Sequence, residues 1–306
     1  MASMDSKYTT PLSSDGGTPL KVVLADMRRQ LLPKYGEGET RALLSFIFEQ
    51  MKGWTAVDLV TRQDDLISDF IRAKIDDVIA RLLRDEPVQQ IFGCADFYGM
   101  KLKVTRDTLI PRPETAELVD IIVKDNQKKD LRVLDCGTGT GCIAIALARN
   151  LPFPEVTAID ISDKALEVAR GNASTLHASV RFLNADILTL PGKLAGEKFD
   201  IVVSNPPYIA DKERPTMEAN VLQYEPETAL FVPDNDPLKF YTAILKACQG
   251  EMLTPGGKIY FEINPIYARD LAEEARQMGF TDVSILRDTS GNQRFMTAVK
   301  PSSDKY

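Results

Sequence analysis

Histidine is almost missing from this chain. Its 306 residues hold one, His177, and four scattered cysteines, Cys94, Cys136, Cys142 and Cys248. No two cysteines stand as a CxxC pair, and one histidine cannot complete a ligand set, so no metal site is expected. The same scarcity argues against Ser-His and Cys-His hydrolase chemistry. The thiols read as free groups in a reducing cytoplasm, the expected location. No run of 18 apolar residues occurs, so no membrane span and no membrane partner are expected. A basic excess is also lacking: 37 Lys and Arg face 44 Asp and Glu, for a net charge of -7. That balance argues against a chain whose main task is gripping a nucleic-acid backbone.

What is present reads as a soluble globular protein with 44% hydrophobic residues. Residues 1–19 are polar, lack the apolar stretch of a secretory signal and read as a disordered leader. From 20 to 93 the apolar positions recur at helical spacing: Leu24, Met27, Leu31; Leu43, Leu44, Ile47, Phe48, Met51; Ile71, Ile75, Val78, Ile79, Leu82, Leu83. Gly36-Glu37-Gly38 and Gly53 punctuate these helices. No nucleophile or ligand cluster lies among them, so the helical domain either docks a partner or simply packs. Residues 94–113 read as a hairpin and linker. The hairpin is Phe97 to Val104, and the linker carries two prolines bracketing Arg112. From 114 to 306 strands alternate with helices, beginning with the strand Leu131–Asp135. This pattern predicts an α/β fold with a seven-stranded, mostly parallel, doubly wound sheet. Ligands of such sheets sit at the carboxyl ends of the strands.

Four strand ends carry chemistry. Asp135-Cys136-Gly137-Thr138-Gly139-Thr140-Gly141 links the first strand to a helix. Its glycines allow a tight turn and close approach by a ligand. The third glycine comes one residue too early for the dinucleotide fingerprint, and an acid precedes the loop. Both facts favour a ligand with a cationic amino-acid end over a pyrophosphate, and they count against a nicotinamide oxidoreductase. Asp160 ends the second strand, 21 positions after Gly139. It can accept from both hydroxyls of a ribose, or cap the following helix, a role for which Asp163 competes. Asp186 and Ile187 follow the third strand. The acid can accept from an adenine amino group while Ile187 packs on the ring, or it can be a solvated turn residue.

The fourth strand, Phe199–Ser204, ends in Asn205-Pro206-Pro207-Tyr208. Pro207 holds Pro206 extended, and neither proline nitrogen can donate. The turn is stiff and offers acceptors only, beside an amide and a phenol. It suits the capture of an NH2 group in one orientation. A structural Pro-Pro turn explains two of the four residues but not the flanking amide and aromatic.

The order of glycine loop, Asp160, Asp186 and Asn205-Pro206-Pro207-Tyr208 resembles the class I S-adenosylmethionine-dependent methyltransferases that act on amino or amide nitrogens. Other stretches are similar to the PrmC/HemK family: Glu86 to Gly93, Phe97-Tyr98, Thr108-Leu109-Ile110-Pro111-Arg112-Pro113-Glu114-Thr115, Tyr224-Glu225-Pro226 and Gly291-Asn292-Gln293-Arg294. This resemblance covers roughly residues 20–300. Two departures stand out: Ile263-Asn264-Pro265 after Glu262, where His-Gly is common, and Ala116 where an acid is common.

The resemblance implies a Rossmann-like catalytic domain and methylation of the glutamine N5 in the Gly-Gly-Gln motif of class I peptide chain release factors. The cofactor would be S-adenosylmethionine, leaving S-adenosylhomocysteine. Asn205, Pro206 and Tyr208 would be catalytic. Asn205, Pro206, Pro207, Tyr208 and Phe97 would hold the substrate, although Phe97 also reads as a hairpin core aromatic. Asp135, Gly137, Thr138, Gly139, Thr140, Gly141, Asp160, Asp186, Ile187, Asn205, Arg112 and Glu114 would hold the cofactor. A monomer without direct nucleic-acid binding is expected. The rivals are a nucleic-acid amino-methyltransferase and a non-catalytic S-adenosylmethionine-binding module.

Overall fold

The computed structural model describes residues 17–302, and most of the predicted 1–19 leader lies outside them. Its last three residues correct that expectation. Gly17–Pro19 form a short strand, β1, antiparallel to β2 (Leu66–Ser68). Extended Pro19 leads straight into the first helix. The chain divides between Phe92 and Gly93.

The first unit is helical. α1 spans Leu20–Lys52, with a break at Gly36, whose φ of 69° leaves the helical region. Gly53, at φ 67°, ends the helix in the left-handed conformation that glycine adopts without penalty. α2 (Ala56–Thr61) starts in a capping box, Thr55 with Asp58. Ser68 caps α3 (Asp69–Leu82), and α4 (Val88–Phe92) closes the unit. Leu24, Met27, Leu31, Leu43, Leu44, Ile47 and Phe48 from α1 are buried with Ile75, Val78, Ile79 and Leu82 from α3. These are the positions that the three- and four-residue spacing marks. Leu83 lies past the end of α3 and is exposed.

The second unit begins with the hairpin β3 (Cys94–Phe97) and β4 (Met100–Lys103). Tyr98 and Gly99 both take positive φ, the conformation that tight two-residue hairpin turns require. The expected 94–113 linker is therefore an integral part of this unit. Phe97, Met100 and Leu102 share a core with α5 (Pro113–Asp125). Asn172, on α7 (Asp163–Thr175), bonds both the N–H and the carbonyl of Lys103, at 2.7 and 3.0 Å.

The strands β5 (Arg132–Cys136), β6 (Glu155–Asp160), β7 (Val180–Asn184), β8 (Phe199–Ser204), β11 (Leu253–Glu262), β12 (Thr281–Arg287) and β13 (Gln293–Val299) form one sheet. Their order is β12-β13-β11-β8-β5-β6-β7, and β13 alone runs against the rest. α6 (Cys142–Asn150) and α7 lie between the early strands, and α9 (Lys239–Ala247) and α10 (Ala268–Gln277) flank β11 in sequence. Two short strands, β9 (Ile209–Ala210) and β10 (Phe231–Val232), pair in parallel, with α8 (Ala219–Tyr224) between them.

Alternation along the central strands separates the two faces. Leu134, Val202, Ile259 and Phe261 pack with α9 and α10, whereas Val133, Val203 and Tyr260 pack with α5 and α6. The strand order reverses between β5 and β8, where Cys136 faces Ser204 across the ladder. A crevice opens at such a reversal, outside the carboxyl ends of the strands. Among the described residues no helix is long and apolar enough to cross a membrane, and no group of His, Cys, Asp and Glu could hold a metal ion.

Candidate active site

The loop after β5 curls over the end of β6. The N–H groups of Gly137 and Thr138 both donate to the Ile159 carbonyl, at 2.9 and 3.0 Å. Gly139 N–H donates to Asp160 Oδ2 at 2.9 Å, and Ser162 N–H donates to Asp160 Oδ1 at 2.9 Å. Asp160 thus anchors the loop, while Ser162 caps α7 by accepting from Ala165 N–H. Burial raises the Asp160 carboxyl, and the three backbone N–H donors around it resist the shift.

Gly137, Gly139 and Gly141 all have positive φ. A side chain at Gly139 would meet nothing within 4 Å, whereas one at Gly141 would touch Ile145 and Ala169. The first position is therefore open to a ligand, and the third is needed for the close packing of α6 on α7. Thr140 is buried, and its carbonyl accepts from Asn172 Nδ2 at 2.9 Å.

Asp135 is wholly buried under this loop. Its Oδ2 accepts from Thr138 Oγ1 at 2.6 Å, and its Oδ1 has no hydrogen-bond partner. Burial pushes its carboxyl up to about 7. An unsatisfied acid oxygen of this kind costs free energy that a cationic ligand group nearby would recover.

A cavity of about 320 Å³ opens beside the loop. Gly137, Gly139, Asp160, Asp186, Ile187, Asn205 and Pro207 border it, together with two segments from outside the sheet, 107–109 and 226–231. Its size falls within the usual range for small-ligand sites. Asp186 keeps one oxygen free of intramolecular bonds, since Leu188 N–H donates only to Oδ1, at 2.8 Å. The side chain of Ile187 comes within 3.6 Å of where a Cβ on Gly137 would stand.

Sequence reasoning missed the two outer segments as cavity walls. They are joined by Glu225, whose side chain is 1% exposed. It accepts from Ile110 N–H at 3.2 Å and pairs with the Arg112 guanidinium. Arg112, expected to hold a cofactor, therefore spends its charge on Glu225 and is not among the cavity-lining residues. Glu114 likewise does not border the cavity: it lies in the first turn of α5, and its charge acts on Glu262. Phe97, offered for the substrate pocket, is buried in the hairpin core. Alternation along β3 points it at α5, which corrects that expectation.

The turn after β8 is held from behind. Asn205 and Pro207 border the cavity, and Pro206 is buried. Tyr208 Oη donates to Glu262 Oε1 at 3.2 Å. Thr115 Oγ1 donates to Glu262 Oε2 at 2.6 Å, and Asn205 Nδ2 donates to Thr115 Oγ1 at 3.3 Å. Glu262, at the end of β11, is buried. Burial raises its carboxyl, while Thr115, Tyr208 and the nearby Arg294 favour the charged form. The Tyr208 hydroxyl is raised far above its ordinary value by burial and by Glu262. Asn264, one of the departures after Glu262, donates to the Tyr208 carbonyl at 3.2 Å and to Glu213. Glu117, beside Ala116, receives the N–H and hydroxyl of Thr289.

Known protein families match both parts of the chain. Residues 127–261 match a methyltransferase domain, and residues 24–93 match the PrmC N-terminal domain. A release factor glutamine methyltransferase of Bacteroides thetaiotaomicron is 45% identical over 276 residues, covering 90% of this chain and 98% of the relative. One from Flavobacterium psychrophilum is 40% identical over 266 residues, covering 86% and 92%. One from Streptococcus pneumoniae is 39% identical over 262 residues, covering 85% and 92%. Among solved structures, a methyltransferase from Pyrococcus furiosus shares the fold, with a TM-score of 0.50 at 19% identity over 74% of this chain and 99% of that one. With relatives this similar over nearly their full lengths, the chain belongs to the release factor glutamine methyltransferase family.

Proposed function

We propose that the protein methylates the side-chain amide nitrogen of the glutamine in the Gly-Gly-Gln motif of class I peptide chain release factors. The methyl donor in this reading is S-adenosylmethionine. The observation that carries the proposal is the turn Asn205-Pro206-Pro207-Tyr208 after β8, whose Asn205 and Pro207 border the same cavity as Gly137 and Gly139 of the glycine loop. The names of relatives up to 45% identical supply the substrate class.

The residues present fit the donor molecule. The orphaned Asp135 oxygen and the open Gly139 suit its charged amino-acid end. Asp160 suits ribose hydroxyls, and Asp186 with Ile187 suits adenine. When bound, the donor supplies an electrophilic methyl on a sulfonium sulfur. The protein's own task is to present a weak nucleophile, an amide nitrogen whose lone pair is delocalised into its carbonyl. Asn205 Oδ1 and the Pro206 carbonyl accept the two N–H bonds of that amide. Gripping both hydrogens fixes the nitrogen's direction and favours its pyramidal form. Well-oriented systems gain up to roughly 7–11 kcal/mol from positioning alone, and fixed dipoles add to this. Tyr208, anchored by Glu262, walls the slot. No general base is required, because the proton can leave after transfer.

The protein acts in this reading as a cytoplasmic monomer on a protein substrate. Mass spectrometry of a release factor incubated with the protein and S-adenosylmethionine tests it, with DNA and rRNA as parallel acceptors. The expected result is one added methyl mapped to the Gly-Gly-Gln peptide, lost in Asn205→Ala. Methyl transfer at the parental rate by Asn205→Ala, or transfer to nucleic acid only, would overturn the reading.

A further inference from the structure

The direction of the Asn205 amide is decided by a buried relay behind it, and this inference rests on the acceptor role just proposed. An asparagine amide can face its pocket with oxygen or with nitrogen, and only hydrogen-bond partners decide which. Thr115 bonds both Glu262 and Asn205. A hydroxyl has one proton, and an ionised carboxylate can only accept. Two hydroxyls aimed at Glu262 and the nearby Arg294 favour its ionised form, and with that form the short 2.6 Å contact commits the Thr115 proton to Glu262 Oε2. What Thr115 has left for Asn205 is a lone pair. The contact at 3.3 Å can then be made only by the amide nitrogen, and Oδ1 is turned the other way.

Tyr208 donates into the second Glu262 oxygen, so both bonds run toward the carboxylate. The four residues come from three segments far apart in sequence. Thr115 lies on α5, Asn205 and Tyr208 follow β8, and Glu262 ends β11. The charged groups near the relay are Arg294 and Glu114, both acting on Glu262, with Arg112 acting on Tyr208. If the Thr115 proton were released from Glu262, it could point at Asn205 instead. The amide would then turn its NH2 toward the incoming substrate NH2, and two donors would face each other.

We propose that Thr115 and Glu262 are positioning residues that present the oxygen face of Asn205 to the substrate nitrogen. Neither touches substrate in this scheme. Both act through Asn205, and Tyr208 fixes the carboxylate from its other side.

The test compares Thr115→Val, which keeps the shape and deletes the hydroxyl, with Thr115→Ser, which keeps the hydroxyl. Each is assayed with release factor for kcat and KM, and by calorimetry for S-adenosylmethionine Kd. Thr115→Val is expected to lose at least about tenfold in kcat, a smaller loss than the roughly 100- to 1,000-fold that follows removal of a donor contacting the reacting atoms. Its cofactor Kd should stay within about twofold, and Thr115→Ser should recover most of the rate. Thr115→Ala gives the same readout if the valine variant does not fold. A valine or alanine variant with parental kcat would overturn the proposal. So would equal losses in the serine and valine variants, which would mark a packing role, or a loss explained by weaker cofactor binding. Parental kcat in Asn205→Ala would instead sink the underlying site reading. Inactive Asn205→Ala beside fully active Thr115→Val would leave that reading standing and remove only the relay.

Discussion

Replacing Glu225 by alanine should loosen the cavity walls. The Glu225 side chain is almost fully buried, while Arg112 is 35% exposed. Removing one partner of a wholly buried ion pair costs roughly 3–5 kcal/mol. Water can reach the abandoned guanidinium here, so that figure must be discounted. Ile110 N–H is buried and would lose its acceptor, at about 1–3 kcal/mol. The two losses share one carboxylate and do not add in full, which leaves about 2–3 kcal/mol in total. This free energy holds the 107–109 and 226–231 walls against each other through Ile110 and Glu225. Its loss should therefore weaken ligand binding more than folding. At 1.4 kcal/mol per tenfold, with the loss falling on binding, S-adenosylmethionine Kd should rise about 30- to 140-fold. Glu225→Gln keeps an acceptor for Ile110 N–H and gives up the charge, so it should fall between parent and alanine. Calorimetric titration of the three proteins is the assay. If Glu225→Ala binds within about twofold of the parent, the buried carboxylate does not hold the walls and the reasoning fails.

Three further outcomes are expected. Asp135 holds its proton more tightly folded than unfolded, with a carboxyl raised from 3.8 to about 7. The ligand-free protein should therefore lose stability as pH rises from near 4 to near 7 and stay flat above, by at most about 4 kcal/mol. Asp135→Asn should flatten that interval and raise Tm at pH 8 in scanning calorimetry; a profile parallel to the parent's would refute the assignment. Gly141→Ala sets a methyl 3.0 Å from Ile145 Cδ1 and 3.2 Å from Ala169 Cβ at a φ of +82°. It should cost roughly 2–3 kcal/mol in urea unfolding. Gly139→Ala has open space around its added carbon. It should cost about 1 kcal/mol in stability and mainly weaken cofactor binding, and the reverse ranking of the two glycines would contradict the loop geometry.

The parts of the site that border the cavity were readable because each is a short run at a strand end. The glycine loop, Asp160, Asp186 with Ile187 and the Asn205 turn all stand at the ends of their strands, and the pairing of β5 with β8 brings the loop beside the turn. The parts behind them were not readable as interactions. Thr115 and Glu262 meet across 147 positions, and Arg112 and Glu225 across 113. Nothing local in a sequence couples such pairs. Arg112 was expected at the cofactor on the family resemblance alone, and the buried Glu225 pairs with its charge. Phe97 was ambiguous between pocket and core because strand alternation alone does not say which face is which. The 17–19 strand was hidden by a polar composition typical of leaders, and its partner lies almost 50 residues away at 66–68.

The reversal of strand order between β5 and β8 also sets when the site can exist during synthesis. The loop, Asp160 and Asp186 arise from one continuous stretch, 135–187. The Asn205 side chain depends on residues from outside that stretch. Asn205 is oriented only when Thr115, made long before, meets Glu262, made long after, and that meeting requires β11 to pair with β8. A chain stopped short of residue 262 would carry the strand-end acids and the glycine loop yet leave Asn205 free to turn either way. In this scheme the alignment of Asn205 waits for residue 262, later in the chain than the strand-end acids.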